Sequence, residues 1–286
     1  MRTLLAKSFG DARLLLAALA VVMFFFPWLY AWATSLISMP AFSEFLSNAL
    51  PKQWQSAWGV PISEVAKPAG RVALVYVHPI IVFSSIVWAI ARGSDCVAGE
   101  IGRGTMEMLL AQPVRRTSLY TSQALVTVLG SAVLAASVWC GTVVGLRSAP
   151  LYEGVSPFLF APSAINLFGL MVGVGGFATL VSAFGSQRWR TVGIVVAWYV
   201  ASAMVAIVNS VIGQRSWWRY LSLLNSYKPQ LLVARHDTAW DFFRYRDDAI
   251  AGLGLGGHQF VLFAVGLLCY LAGAVVFSRR EIPAPI

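Results

Sequence analysis

The side chains able to do chemistry are few in this chain, and their spacing limits what they can do. The four lysines, Lys7, Lys52, Lys67 and Lys228, follow Ala, Pro, Ala and Tyr. The Gly-Lys-Ser/Thr sequence that cradles nucleotide phosphates therefore does not occur. His78, His236 and His258 are too dispersed for a zinc or triad site, and neither HExxH nor GxSxG is present. Cys96, Cys140 and Cys269 are odd in number and far apart, which suggests neither a disulfide framework nor a CxxC metal site. They read as small hydrophobes. None of the 12 acidic residues falls inside a long apolar run, so a proton relay of buried carboxylates is not expected. His78, beside Pro79, is expected to be a neutral imidazole bonded to a neighbouring helix or to a carbonyl that the proline frees. The chain is not expected to be an enzyme or to bind a cofactor or metal itself.

One segment has an internal logic: Gly99-Glu100-Ile101-Gly102-Arg103-Gly104-Thr105-Met106-Glu107-Met108-Leu109-Leu110-Ala111-Gln112-Pro113-Val114-Arg115-Arg116. Thr105, after Gly102 and Gly104, can cap a new helix, and Glu107 sits in its first turn, where the helix dipole favours a negative charge. Met106, Leu109 and Leu110 share one face, and Pro113 stops the helix at about Gln112. The expected product is a short amphipathic helix outside the membrane, with an apolar face that needs covering. Spacing alone leaves open a plain surface helix or a partner-docking one.

The elements that must hold this segment are apolar. The 286 residues are 58% hydrophobic and 12% charged, with mean hydropathy +0.71, against roughly 25% charged in soluble proteins. An all-α integral membrane protein is expected, a single transmembrane domain over residues 1–286. Its spans are placed at about 14–37, 72–91, 119–146, 164–184, 192–212 and 260–277, each free of Asp, Glu, Lys and Arg. Helices are required because isolated strands leave backbone groups unpaired in lipid. The apolar run Val195 to Val208 lacks the alternation of a barrel strand.

The first span is too long for a signal-peptide core, and Ser8 to Arg13 reads as a short entry segment at the membrane surface. Basic residues are about twofold denser in the segments that share a side with the N-terminus. Both termini and the segment 92–118 are therefore expected in the cytoplasm, and the segments 38–71 and 213–259 outside. The net charge of +9 is scattered along segment ends rather than gathered into a stripe, so nucleic acid is not expected as a partner. In segment 38–71, Phe42, Phe45, Leu46 and Leu50 and then Trp54 and Trp58 suggest two short interfacial helices. Segment 213–259 reads as an outer cap ending in a glycine hinge at Gly252, Gly254, Gly256 and Gly257. Gly141 with Gly145, and Gly169 with Gly173, are expected to let helices approach within the bundle, and Asn209 to bond across helices.

The segment from Gly99 to Arg116 resembles the ABC-2 type permease family, the membrane subunits of ABC transporters. Gly99-Glu100, Gly104-Thr105, Glu107, Leu109-Leu110, Pro113-Val114 and Arg116 fit the pattern GE, three residues, GT, x, E, x, LL, two residues, PV, x, R. Leu50-Pro51 through Trp58-Gly59 and Leu223-Leu224-Asn225 are similar to its outer segments. Where the family often has Gly-Lys, Ser122-Gln123 stands here.

The resemblance implies that the short helix is a coupling helix seated in a cleft of a separate nucleotide-binding subunit, which binds the ATP and magnesium. It implies that Met106, Leu109 and Leu110 form the buried face, and that Glu100 and Glu107 pair with basic groups there or cap helices. It further implies a second permease copy or paralogue, a location in the cell membrane, and export or extraction of a lipophilic molecule from the membrane; the absence of charge within the spans suits a lipid-like, peptide or drug-like cargo better than a bare ion. An ion-driven carrier and a non-transporting membrane anchor are the alternatives.

Overall fold

The computed structural model of the chain describes residues 2–49, 60–112, 115–212, 222–246 and 249–280. Among them, six helical stretches are long and apolar enough to cross a membrane: Arg2–Ser35, Pro68–Gly102, Arg116–Ser148, Pro157–Phe184, Arg188–Asn209 and Leu255–Arg279. The helices are α1 (Arg2–Ser35), α2 (Met39–Ala49), α3 (Ile62–Ala66), α4 (Pro68–Val77), α5 (Pro79–Ser94), α6 (Glu100–Gly102) and α7 (Thr105–Leu110). They continue as α8 (Arg116–Ser148), α9 (Ala161–Phe184), α10 (Arg188–Ile212), α11 (Pro229–Ala234) and α12 (Leu255–Arg279). A small antiparallel hairpin, β1 (Phe243–Arg246) and β2 (Ala249–Leu253), precedes α12. Leu4 and Phe277 share one apolar cluster, so both ends of the chain lie at one end of the bundle, here called proximal.

α9 is the most enclosed of the six, while α1 and α10 are the least. Exposed Leu14, Val200, Met204 and Leu268 on α1, α10 and α12 are the side chains a lipid environment accepts. The interhelical seams are built on glycine. A Cβ on Gly141 would lie 2.1 Å from the carbonyl oxygen of Phe24, and one on Gly145 would lie 2.7 Å from the Cβ of Ala31, so α1 rests on α8 backbone to backbone. Gly169 and Gly173 likewise face Leu262 and Leu223. These glycines pack within the bundle, as their spacing suggested. A Cβ on Gly176 would lie 2.5 Å from the Gly266 carbonyl oxygen, a close approach in the α9–α12 seam that was not singled out in the sequence.

Four expectations change. The segment Ser8 to Arg13 is not a separate entry element, because α1 runs unbroken from Arg2. Its 34 residues span about 50 Å against roughly 30 Å of hydrocarbon, so the first turns project beyond the membrane core. The second span likewise continues as helix well past Ala91, carrying Arg92, Asp95 and Glu100.

At His78, proline geometry separates α4 from α5. His78 meets neither expected partner: its Nδ1 accepts the Ile80 N–H at 3.3 Å, capping α5, and its ring lies 4.5 Å from that of Phe26. In an unbroken helix Ile80 would serve the carbonyl of Tyr76. That carbonyl instead accepts from the Tyr227 hydroxyl.

The glycines before α12 are not a hinge. A Cβ on Gly254 would sit 2.2 Å from the Asp241 carbonyl and one on Gly256 2.4 Å from that of Trp240. They admit close backbone packing of the segment that precedes the hairpin.

In α2, Phe42 and Leu46 are buried as an amphipathic face requires, while Phe45 is exposed. Leu50, Trp54 and Trp58 lie outside the described residues. Asn209 is buried, but its Nδ2 has no partner among the described residues.

Candidate functional site

The motif segment begins inside a distorted helix. After α5 the backbone widens into a π-helical turn, Asp95–Gly99, a form that recurs at functional sites because it strands amide groups. Ser182 of α9 takes them: its Oγ accepts from Val97 N at 3.1 Å and Ala98 N at 2.9 Å, and donates to the Ser94 carbonyl at 3.0 Å. A Cβ on Gly99 would lie 2.1 Å from Asp95 Oδ1, so any side chain there would displace that carboxylate.

Two carboxylates then organise the charges. Glu100, 1% exposed, accepts from Lys7 Nζ of α1 at 2.7 Å and from the Thr105 hydroxyl, with Arg103 at 3.4 Å. Asp95 accepts from Arg103 at 2.6 Å and lies 3.5 Å from Arg188 and 3.8 Å from Arg92. The hydrogen bond with Asp95 raises the pKa of Arg103 above its ordinary value. Arg92, 4% exposed, donates to Gln123 at 2.6 Å. The glutamine that departs from the family pattern thus serves an arginine of this chain.

Gly104 connects α6 to α7 at φ +71°, a conformation that costs an L side chain energy. Thr105 opens α7, and its hydroxyl also donates to the Glu100 carbonyl at 3.1 Å. Met106 and Leu109 correct the expectation of a bare apolar face: they are 1% and 8% exposed. Leu4, Cys96, Val97, Leu119, Tyr120 and Phe277 of this same chain share their cluster. A six-residue helix has too few hydrogen bonds to stand alone, so it is stabilised by burying this face. Among the described side chains of α7, the one displayed is Met108, 64% exposed. Pro113 and the side chains of Glu107 and Leu110 lie outside the described residues. Arg116 does more than mark the return to the membrane: its Nη1 donates to the Arg280 carbonyl at 2.5 Å. Arg280 in turn donates to the carbonyls of Ala183 and Gly185, at 2.9 and 2.8 Å.

Of the residues singled out in the sequence, Glu100, Thr105, Met106 and Leu109 are therefore brought into contact with the rest of the bundle, and Arg116 ties α8 to the ends of α9 and α12. Lys7, Arg92, Asp95, Ser182 and Arg188 were missed. The traces of this set in the sequence are the i, i+4 spacing of Lys7 and Asp11, which lie 3.7 Å apart, and the i, i+3 spacing of Arg92 and Asp95, which lie 3.8 Å apart. Among the described residues no group of His, Cys, Asp and Glu is arranged to hold a metal ion.

Searches of curated proteins and of solved structures give no match. A family model described as ABC-2 family transporter protein matches residues 2–281. With that match spanning nearly the whole chain and the motif segment anchored to four of its membrane helices, the chain belongs to the ABC-2 transporter family.

Proposed function

We propose that this chain is the membrane-spanning subunit of an ATP-driven exporter, working with a second permease copy or paralogue and with separate subunits that bind and hydrolyse ATP. The observation that carries the reading is the way α7 is fixed. It is a short helix on which, among the described side chains, Met108 is the exposed one. Glu100 ties the turn before it to α1 through Lys7, Ser182 ties the π-turn to α9, and Arg116 ties the following residues to α12. A displacement applied at Met108 is thereby delivered to several membrane helices together, which is what shifting a bundle between two populations requires.

On this reading the proximal end faces the cytoplasm, in keeping with the basic residues concentrated there. The docking surface is the exposed side of the turn and helix, Gly102 and Gly104 with Met108, rather than Met106 and Leu109. An ion-driven carrier would need a carboxylate free to exchange protons, whereas Asp95 and Glu100 are both held by fixed cations. An ATP-binding cassette subunit encoded beside this chain is expected to co-purify with it and to hydrolyse ATP faster with cargo present. Met108→Asp is expected to abolish the association without changing membrane insertion. Association with no stimulation by any lipid or peptide extract would favour a membrane anchor instead.

A further inference from the structure

The proximal end carries an open recess of about 440 Å³ between α1, α5 and the start of α10. The charges on its walls do not balance locally. Glu100 is matched by Lys7 at 2.7 Å. Asp95 faces the guanidinium groups of Arg103, Arg188 and Arg92 at 2.6, 3.5 and 3.8 Å, and Arg103 also lies 3.4 Å from Glu100. With Asp11 included, the carboxylates of Asp11, Asp95 and Glu100 face the cations of Lys7, Arg92, Arg103 and Arg188, which leaves an excess of positive charge. Arg92 is 96% buried by its 4% exposure, and its Nε has no acceptor among the described residues. A surplus of half-buried cations is costly unless an anion compensates them, and oxygen-rich anions do so through charge-assisted hydrogen bonds.

The opposite wall differs. Asp11 on α1 lies 3.7 Å from Lys7 and its side chain is 46% exposed, so it retains capacity to accept from a cation. The rim has the marks of a membrane surface: Trp189, next to Arg188, is 69% exposed, and Leu14, one turn beyond Asp11, is 80% exposed. Tryptophan favours the depth at which lipid phosphates lie. A volume of several hundred Å³ is of the size that holds a small-molecule group larger than a lone phosphate.

We propose that this recess binds a zwitterionic phospholipid headgroup from the adjoining leaflet, one carrying a phosphate and a primary ammonium. Arg188 and Arg103 supply donors to the phosphate from the exposed rim, Arg92 supplies the charge beneath, and Asp11 accepts from the ammonium. The inference rests on the membrane location and not on the ATPase partner.

The test is native mass spectrometry of the purified full chain in uncharged detergent, titrated with short-chain phosphatidylethanolamine, phosphatidylglycerol and diacylglycerol. Phosphatidylethanolamine is expected to bind best and diacylglycerol least. Arg188→Gln is expected to weaken phosphatidylethanolamine by about tenfold, the loss of one charge-assisted contact. Asp11→Asn should erase the preference for ethanolamine over glycerol. Arg279→Gln, which removes an exposed charge at the same end, should change neither.

Binding by Arg188→Gln equal to that of the natural chain would overturn the proposal. So would equal binding of diacylglycerol, or an equal loss in Arg279→Gln. Displacement of the lipid by free phosphoethanolamine at matched concentration would overturn a membrane source. If Arg188→Gln fails to fold, Arg103→Gln at the rim carries the same test.

Discussion

At the scale of single residues, the most constrained charge is one that the sequence presents as an ordinary loop arginine. Arg71 is fully buried and has no carboxylate partner among the described residues. Its donors reach Ala66 O at 3.0 Å, Thr34 O at 3.1 Å, Ile37 O at 2.8 Å and Ser38 O at 3.2 Å, and its guanidinium lies 4.3 Å from the Phe42 ring centroid. These carbonyls lie at and just beyond the C-terminal end of α1, whose partial negative charge attracts a cation. Arg71→Ala removes a donor from four carbonyls, of which those of Thr34 and Ser38 keep backbone partners, and is expected to cost on the order of 3 kcal/mol. Arg71→Lys should not rescue it, because an ammonium lacks the planar fork that spans them. Thermal unfolding in detergent reads both, and an unchanged midpoint for either variant would refute this assignment. The sequence shows only an Arg before an apolar run; that it turns inward to cap a helix 37 residues earlier is a tertiary fact.

At the scale of elements, the π-turn and the α6–α7 turn set where α7 points. Ser182→Ala removes the acceptor for two amides of the π-turn. The expected cost is about 1–3 kcal/mol, with faster hydrogen exchange confined to residues 95–99; protection equal to that of the natural chain would show that Ser182 is dispensable. At Gly104 a Cβ meets nothing within 4 Å, so only the backbone opposes substitution. Gly104→Ala is expected to cost about 1 kcal/mol and Gly104→Asn less, since Asn tolerates the left-handed region better. Asn destabilising more than Ala would contradict that ordering. Helix starts, stops and glycine punctuation in this segment are legible from the sequence because they are local. The π-turn is not, because it depends on a serine 85 residues away.

At the scale of the whole molecule, two neighbouring residues separate coupling from folding. Leu109 belongs to the proximal core with Leu4 and Phe277, whereas Met108 points away from it. Leu109→Asp should lower the unfolding midpoint and the yield of folded protein, since it places a charge in a covered apolar site. Met108→Asp should leave the midpoint unchanged and remove the ATPase subunit. The reverse pattern, a stable Leu109→Asp that fails to associate, would restore the face read from the sequence as the docking face.

What the sequence by itself determined is the class and the family: six long runs without charge demand helices in lipid, and the residues from Gly99 to Arg116 carry the family pattern in consecutive positions. Amphipathic spacing in α7 also marked Met106 and Leu109 correctly as residues to be buried. What covers them was decided by the tertiary structure alone. Periodicity reports that a face is apolar, but not whether its cover is a partner or the first and last helices of the same chain. The pairing of Glu100 with Lys7 and of Asp95 with Arg188 is likewise absent from any local window, because an ion pair depends on distance in space and these charges meet only when α1 and the start of α10 converge on the segment after α5.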